Sequence, residues 1–326
     1  MAVGKALPWL TLVLVAALAA ARPAGAQEWP QRPVRIIDPF AAGGSSDVSA
    51  RIVAQHFTDI FGQQFVVENR PGAGGALAAE TVARAPADGY TLLMATTGQI
   101  AIGPVLAKVA YDPVRDFIPV SAIGTNPFVL VVHPGVSANT VGEFVDYVRR
   151  HPRQITYASS GVGSVGYLSM LLFLKRAGLD MIPVSYKGGV APVTDVIAGH
   201  VHAYFGNVSA LAPHATSGML KLLAVSSLQR SARIPQVPTL DESGLPGFKT
   251  INWSGLMAPA GTPPAIVDRI AKEAAHAVKV PKTIELLASN GIEPLGNSPD
   301  EFAALVAEDI SFWGQVIKKT GVQEPR

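Results

Sequence analysis

A glycine- and serine-rich turn near the start of this sequence has the residue types that bind an anion. The stretch PFAAGGSSD, residues 39–47, follows the apolar run PVRIIDPF and leads into a segment with helical periodicity. The first N–H groups of a helix have no partners within it, and together with the helix dipole they attract negative charge. Gly43 and Gly44 would let a ligand approach the backbone closely, and Asp47 could cap the helix or accept hydrogen bonds from loop amides. Taken alone, the loop could equally be an ordinary strand-to-helix turn.

A second turn of the same kind follows about a hundred residues later. In ITYASSGVGSVGYL, residues 155–168, a strand leads into Ser159, Ser160 and Gly161, and then into Gly163, Ser164 and an apolar helix. Two helix N-termini that face each other would suit a ligand with an anionic group at each end. They would equally suit a single carboxylate held from both sides.

Other polar residues follow predicted strands and could reach the same ligand. Thr97 comes directly after GYTLLMAT, and Asn207 ends VHAYFGN, where a plain turn residue is the alternative. Lys187 could add a positive charge, although a lone lysine is usually solvated. A third glycine-rich helix start, NRPGAGGALAAE at residues 69–80, is explained as well by tight strand–helix packing as by ligand contact.

Motifs for catalysis or for a cofactor are incomplete. Gly161, Gly163 and Gly166 fit the GxGxxG dinucleotide pattern, but Asp180 precedes the next strand instead of ending it. Ser164 has Val162 two residues before it, where a nucleophile elbow needs glycine. His200 and His202 alternate on a predicted strand face without a carboxylate cluster. The chain has no cysteine, which excludes thiol catalysis and zinc–thiolate sites. We predict no cofactor, no metal and no catalytic residue.

The first 26 residues have the pattern of a signal peptide. Lys5 precedes a mostly apolar run from Leu7 to Ala21, and Ala24-Gly25-Ala26 is a small-x-small cleavage pattern. Cleavage after Ala26 and export to the periplasm are therefore expected. Without Lys5 and Arg22 of the leader, the 26 basic residues become 24, which equals the 24 acidic ones. A neutral mature chain argues against nucleic acid or an anionic membrane as a partner.

The remaining sequence alternates short apolar runs with helical segments, which predicts mainly parallel sheets covered by helices. Two apolar runs, FVLVVHP and INWSGLMAP, bracket a block of further strand–helix units and are interpreted as strands that cross between two lobes. Helices are predicted at 263–278 and 299–320. The predicted organisation is a signal peptide at 1–26, a first lobe at 27–127, an inserted second lobe at 128–250, and the rest of the first lobe at 251–326. Ligands favour the cleft that such an arrangement leaves.

Many segments of the sequence match one known family, in its order. They include WPQRPVRIIDPFAAGGSSD, VVENRPGAGG, ADGYTLLMAT, YDPVRDFIPV, YASSGVGS, YKGGVAPVTDVIAGH, LPGFKTINWSGLMAPAGTP and FWGQVIKKTGV. The chain resembles the periplasmic substrate-binding proteins of tripartite tricarboxylate transporters, the Bug proteins. The resemblance implies a two-lobed α/β receptor of the periplasmic-binding-protein, or Venus flytrap, type that closes on a small carboxylate.

The resemblance also implies which residues hold the ligand. Backbone amides and hydroxyls of the first loop would face those of the second. The resemblance assigns a ligand contact to Thr97 and Asn207 less directly than to the loop residues. The implied ligand-binding residues are Phe40, Gly43, Gly44, Ser45, Asp47, Thr97, Ser159, Ser160, Gly163, Ser164 and Asn207.

Two departures from the family pattern bear on the ligand. Many relatives have histidine where this chain has Tyr167, and aspartate where it has Gly206. Because an aspartate there could pair with an ammonium group, its absence disfavours an amino acid. The expected ligand has at least one carboxylate on an uncharged or acidic body, aromatic bodies included.

The implied function is that of a monomeric binding protein rather than an enzyme. It would deliver a small carboxylate or dicarboxylate to integral membrane transporter subunits. Two alternatives remain open: a ligand sensor for a membrane kinase, and a dinucleotide-dependent enzyme that uses residues 161–166.

Overall fold

The computed structural model describes residues 29–161, 163–186 and 190–322. The predicted signal peptide and Lys187 lie outside these residues. Ten strands are formed by the described part of the chain. They are β1 (Val34–Asp38), β2 (Phe65–Asn69), β3 (Thr91–Thr96), β4 (Phe117–Val132), β5 (Thr156–Ser159), β6 (Ile182–Ser185), β7 (Ala203–Asn207), β8 (Lys221–Val225), β9 (Ile251–Pro259) and β10 (Glu293–Pro294).

Ten α-helices lie between and after these strands in the same described ranges. A 3₁₀ turn at Ala73–Gly75 and a π-helical turn at Gly98–Ile102 precede two of them. The helices are α1 (Ser45–Phe61), α2 (Ala76–Ala83), α3 (Gly103–Leu106), α4 (Val141–Arg150), α5 (Val165–Ala177), α6 (Val190–Ile197), α7 (Val208–Thr216), α8 (Pro264–Ala277), α9 (Pro281–Ser289) and α10 (Pro299–Thr320).

The predicted helices 263–278 and 299–320 correspond closely to α8 and α10. Each helix has proline at its first position, where the missing N–H costs nothing. Ser298 caps α10 in a capping box with Glu301. Helix α9 and the short strand β10 were missed. The segment with helical periodicity after the first glycine loop is α1, on which Phe57 is buried, whereas Ile60 near the helix end is 53% exposed.

The strands form one sheet in the order β2-β1-β3-β9-β4-β7-β5-β6, and β8 and β10 also pair with β4. Strand β1 pairs in parallel with β2 and β3, and β5 pairs in parallel with β6 and β7. Strands β4 and β9 are antiparallel to their neighbours. The parallel arrangement predicted from the strand–helix alternation therefore holds for the two outer parts of the sheet, which the antiparallel strands join.

Strand β4 belongs to both parts of the sheet. Its residues 117–127 pair with β9, whereas Phe128 and the residues after it pair with β7 and β8. The sequence run FVLVVHP is thus only the second half of a 16-residue strand. Pro119 interrupts the first half, where the register of β4 against β9 shifts, and this proline hides the strand from pattern analysis.

A buried polar cluster ties the chain together where β4 passes between the two parts. The Ser226 N–H donates to the Phe128 carbonyl at 2.9 Å, and the Thr250 N–H donates to the Ser226 carbonyl at 3.0 Å. The Ser226 hydroxyl donates to the Thr250 carbonyl, and Ser169 donates to the Thr250 hydroxyl at 2.8 Å. These bonds satisfy backbone groups at the crossing and fix the return of the chain into β9.

The C-terminal helix α10 packs against both parts of the sheet. Near its start, Phe302 joins a buried cluster with Ile37 and Trp253. Near its end, Trp313 joins a second cluster with Leu168 of α5. The Trp253 indole also donates to the Asp309 carboxylate at 2.6 Å. Helix α10 is therefore a third connection between the two parts, in addition to β4 and the segment that leads into β9.

We expect Gly255→Ala to destabilise the protein, because a Cβ at this position in β9 would lie 2.5 Å from the Phe302 ring and 2.9 Å from the Ala122 Cα. Overpacking of this kind costs about 1–3 kcal/mol. Gly314→Ala in α10 is the matched control, since its Cβ would meet nothing within 4 Å. The helix propensity of alanine should make that variant neutral or more stable by up to about 1 kcal/mol. Urea unfolding measures the stability of both variants, and equal stabilities would contradict the close packing of Gly255 against Phe302 and Ala122.

Candidate functional site

A cavity of about 360 Å³ lies where β4 crosses between the two parts of the sheet. Phe128 of β4 and Asn252 of β9 line it at the crossing. Of the residues predicted to bind a ligand, Phe40, Ser160, Gly163 and Ser164 line the cavity. Gly43, Gly44, Ser45, Asp47, Thr97, Ser159 and Asn207 are not among the lining residues.

The first glycine loop is held in place by Asp47. Its carboxylate accepts hydrogen bonds from the Gly43 N–H at 2.9 Å, from Arg51 Nε at 3.0 Å and from Asn69 Nδ2 at 2.9 Å. The aspartate therefore bonds to a loop amide, one of the two roles that the sequence suggests, and it makes no side-chain cap on α1. Because these partners use its oxygens, Asp47 positions the loop.

Asp38 lies below the same loop and is fully buried at the end of β1. It accepts a hydrogen bond from the Phe40 N–H at 3.0 Å. Burial raises the pKa of Asp38 to about 6, although hydrogen bonds from the Phe40 N–H and from Asn69 Nδ2 partly offset the effect. For Asp47, burial opposes ionisation, but the hydrogen bonds from Arg51, Gly43 and Asn69 outweigh it and lower the pKa. Protonation of Asp38 would thus reduce negative charge beneath a loop that could bind an anion.

The second glycine loop reaches the cavity through side chains and backbone. Ser164 caps α5 by accepting the Tyr167 N–H at 3.2 Å, and it lines the cavity. The Ser160 hydroxyl is bonded to the Tyr204 hydroxyl at 2.6 Å. Ser159 is buried and accepts the Gly161 N–H at 3.2 Å, so it shapes the turn. Gly163, Ser164 and Val165 at the start of α5 all line the cavity.

The segment after β3 supplies a donor that sequence reasoning missed. Thr97 is fully buried, and its hydroxyl accepts the Trp253 N–H at 3.0 Å. Gln99, two residues further, lines the cavity, and within the described residues its Nε2 has no hydrogen-bond partner. The Tyr111 hydroxyl donates to the Gln99 carbonyl at 2.5 Å and fixes the π-helical turn. Ligands of α/β proteins bind beyond the C-terminal ends of parallel strands. Both Thr97 and Gln99 follow the C-terminal end of β3, so this rule indicates Gln99 as well as Thr97.

The third glycine-rich segment and Asn207 have different relations to the cavity. Ala73, Gly74 and Ala76 line it, so ligand contact and tight packing are both possible roles of that segment. Asn207 lies opposite Phe128 in the β4–β7 register, next to the cavity. Its Oδ1 is buried and bonds to no other described residue.

No described residue that lines the cavity carries a charged side chain. The walls are apolar side chains such as Ile102, Leu106 and Val109, and the polar groups are amides and hydroxyls. Such a lining can bind an anion through neutral donors, as helix N-termini do.

Packing accounts for two of the three glycines of the GxGxxG match. A Cβ at Gly166 would lie 2.4 Å from the Phe205 carbonyl oxygen, and one at Gly163 would lie 2.9 Å from the Leu106 side chain. The histidines near β7 are engaged as well. His202 Nδ1 is 3.1 Å from the Thr156 N–H, and both His200 and His202 precede the strand on which they were predicted.

Comparison with known proteins gives one family and several solved structures. A family model described as "Tripartite tricarboxylate transporter family receptor" matches residues 49–322. A structure described as "R. palustris Rpa4515 with adipate" is 35% identical, with a TM-score of 0.82 over 91% of this chain and 100% of that one. MatC from Rhodopseudomonas palustris, with bound malate, is 33% identical, with a TM-score of 0.77 over 89% of this chain and 100% of that one.

A third solved structure, the periplasmic binding protein BugD, is 33% identical, with a TM-score of 0.78 over 91% of this chain and 100% of that one. These neighbours confirm the predicted fold class, an α/β receptor of the two-lobed periplasmic-binding-protein type.

We expect the buried charge of Asp38 to make stability depend on pH. Its folded pKa of about 6 lies above the reference value of 3.8, so the folded state binds the proton more tightly and loses stability as pH rises from 4 to 6. Two pKa units correspond to about 3 kcal/mol. Asp38→Asn removes this charge. The free energy of unfolding of the variant, relative to wild type, should therefore rise by about that amount between pH 4 and pH 8. Urea unfolding across this range measures it, and a constant difference would contradict the assignment.

Proposed function

We propose that this chain, which belongs to the tripartite tricarboxylate transporter receptor family, captures a small carboxylate in its central cavity and delivers it to a membrane transporter. The family match extends over most of the chain and confirms the resemblance to the Bug proteins. The family and its structural neighbours are solute-binding receptors, so the chain is a receptor and not an enzyme.

The observation that carries the proposal is a cavity with neutral donors and no charged lining side chain among the described residues. Gln99 Nε2 is a buried donor without a partner in the described structure, and it lies on the side of the cavity formed by the segment after β3. Ser160 and the first turn of α5 lie on the other side. Leaving a buried donor unpaired costs about 1–3 kcal/mol, so a ligand oxygen that accepts from Gln99 recovers that energy. A carboxylate offers such an oxygen to each side.

The walls indicate the body of the ligand. Ile102, Leu106 and Phe128 provide an apolar surface between the polar groups, which suits a carbon chain or ring. The neighbours with adipate and with malate hold dicarboxylates. At Gly206 a Cβ would lie 2.3 Å from the Tyr204 ring, so a carboxylate side chain for a ligand ammonium does not fit there. We therefore propose a dicarboxylate or other carboxylate without an amino group.

The lobes we propose are those predicted from the sequence. The first comprises residues 27–127 and 251–326, and the second comprises residues 128–250. The change of pairing partners between Pro127 and Phe128 in β4 supports this division. Ligand contacts with both lobes would favour the closed state.

Export by the leader and action as a monomer belong to the same proposal. Within the ranges that the structure describes, no helix has the length and apolar character needed to span a bilayer. The sequence pattern of residues 1–26 supports the leader.

Isothermal titration against a carboxylate panel tests the proposal. Adipate, malate, an aromatic carboxylate, glutamate and aspartate form a suitable panel, with the purified chain freed of co-purified ligand by partial unfolding and dialysis. We expect at least one acid without an amino group to bind at a single site. Gln99→Ala should weaken that binding roughly 10- to 100-fold, because a hydrogen bond to a charged group contributes about 1.5–3 kcal/mol.

Gln55→Ala is the matched control for Gln99→Ala. Gln55 is exposed on α1, where its side-chain amide donates to Asp59 at 2.8 Å, so its loss should leave affinity unchanged. Equal affinities of Gln99→Ala and wild type would show that the ligand binds elsewhere in the protein. Binding of aspartate or glutamate alone would refute the proposed ligand class.

We expect Gly44→Val to weaken ligand binding while the fold persists. Gly44 has φ −72°, and a Cβ there would be 3.5 Å from the Ala41 carbonyl oxygen, so the backbone tolerates a side chain. Valine is a poor N-cap, which costs about 1 kcal/mol, but it would also block close approach to the first loop. Gly142→Val, in the first turn of α4 with nothing within 4 Å of its Cβ, is the control. Titration and thermal unfolding separate the effects, and unchanged affinity of Gly44→Val would exclude the first loop from the site.

A further inference from the structure

Two histidines and a glutamate converge on the packed surface between α1 and α8. His56 comes from α1, and Glu273 and His276 come from α8, three residues apart on one helix face. The side-chain nitrogens and the carboxylate oxygen all lie within 4.8 Å of one another. His56 and Glu273 are mostly buried, whereas the His276 side chain is 62% exposed. The cluster is separate from the residues that line the central cavity.

One oxygen of Glu273 faces both rings. Glu273 Oε2 is 3.8 Å from His56 Nε2 and 3.6 Å from His276 Nδ1. Both distances exceed hydrogen-bond range, so no proton is shared directly between these atoms. His56 Nε2 is a buried atom that has no hydrogen-bond partner in the described structure. A buried nitrogen without a partner raises the free energy of the folded state unless another group, a water or an ion bonds to it.

A metal ion would satisfy all three atoms. Zinc binds histidine nitrogen and carboxylate oxygen at about 2.0–2.2 Å in tetrahedral geometry, which places neighbouring ligand atoms about 3.3 Å apart. The two measured distances are longer by only a few tenths of an ångström. The rings are nearly perpendicular, at 87°, with centroids 5.6 Å apart, so each can present its nitrogen without clashing with the other. The exposure of His276 gives the ion a path from solvent.

We infer that His56, Glu273 and His276 form a binding site for a zinc-like divalent transition metal, with water as the fourth ligand. Two histidines and one carboxylate suit zinc, whereas calcium and magnesium prefer sites built from oxygen. His56 is eleven residues, or about 16 Å, along α1 from the helix start at Ser45. The ion would therefore join α1 to α8 and stabilise the packing of these two helices without contacting the carboxylate ligand.

The test is zinc binding to tag-free mature protein, treated with a chelator and dialysed. Competition with a chromophoric chelator should give one site per chain. A saturating excess of zinc, about 100 times the dissociation constant, should raise the melting temperature by on the order of 5 °C. Magnesium should not. Cobalt(II) substitution should give the intense visible absorption of a four-coordinate ion.

Two variants locate the site. His276→Ala changes an exposed side chain and should weaken zinc binding by more than about 10-fold, since even indirect metal partners contribute that much. Glu273→Gln should weaken it as well. His200→Ala, an exposed histidine paired with Asp195, is the matched control and should bind zinc as wild type does. Circular dichroism checks that each variant is folded.

The outcomes separate cleanly. Absence of a one-to-one site in the wild type, or equal zinc affinity in His276→Ala, would overturn the inference. Carboxylate affinity should be the same with and without zinc, so failure here leaves the proposed receptor function untouched.

Discussion

The pairing of strand β4 with two different sets of neighbours is the constraint on which the rest of the structure depends. A single strand that supplies hydrogen bonds to β9 along one half and to β7 and β8 along the other must change partners between Pro127 and Phe128. At that point neither sheet part can fill the space in front of the strand. The cavity forms there, with Phe128 and Asn252 in its wall, and the polar cluster around Ser226 and Thr250 satisfies the backbone behind it. Position in the sheet, rather than any single side chain, fixes where a ligand can be held.

Charged side chains lie near the cavity but do not form its wall. The described side chains at the cavity wall are neutral, and the charged groups nearby, Asp38, Asp47 and Arg51, act on the first glycine loop from below. Two carboxylates beneath a loop that could bind an anion would repel the ligand if both were ionised and unpaired. Arg51 neutralises one of them, and burial raises the pKa of the other. Asp38 is therefore protonated only below about pH 6, and at neutral pH its charge opposes an anion on the loop.

Sequence patterns predicted most of the framework but only part of the site. Helices α8 and α10 were predicted within a residue or two because proline and a capping serine mark their starts. The second glycine loop was predicted with Ser160, Gly163 and Ser164, since a strand, small residues and an apolar helix follow in order. Gln99 was missed because a π-helical turn has no sequence signature comparable to a glycine motif, and its burial depends on Tyr111, twelve residues away. The metal ligands His56 and Glu273 are more than 200 residues apart, and only the packing of α1 on α8 brings them together.

Helix α10 limits how the two sides of the cavity can separate. Phe302 near its start is buried in one core, and Trp313 near its end is buried in the other. A large separation of the two parts of the sheet would therefore expose one of these aromatic side chains. Exposing such a side chain costs about 1.5–3 kcal/mol. Because both aromatic side chains belong to one helix, small displacements that leave its two ends packed are the least costly movements of the two parts.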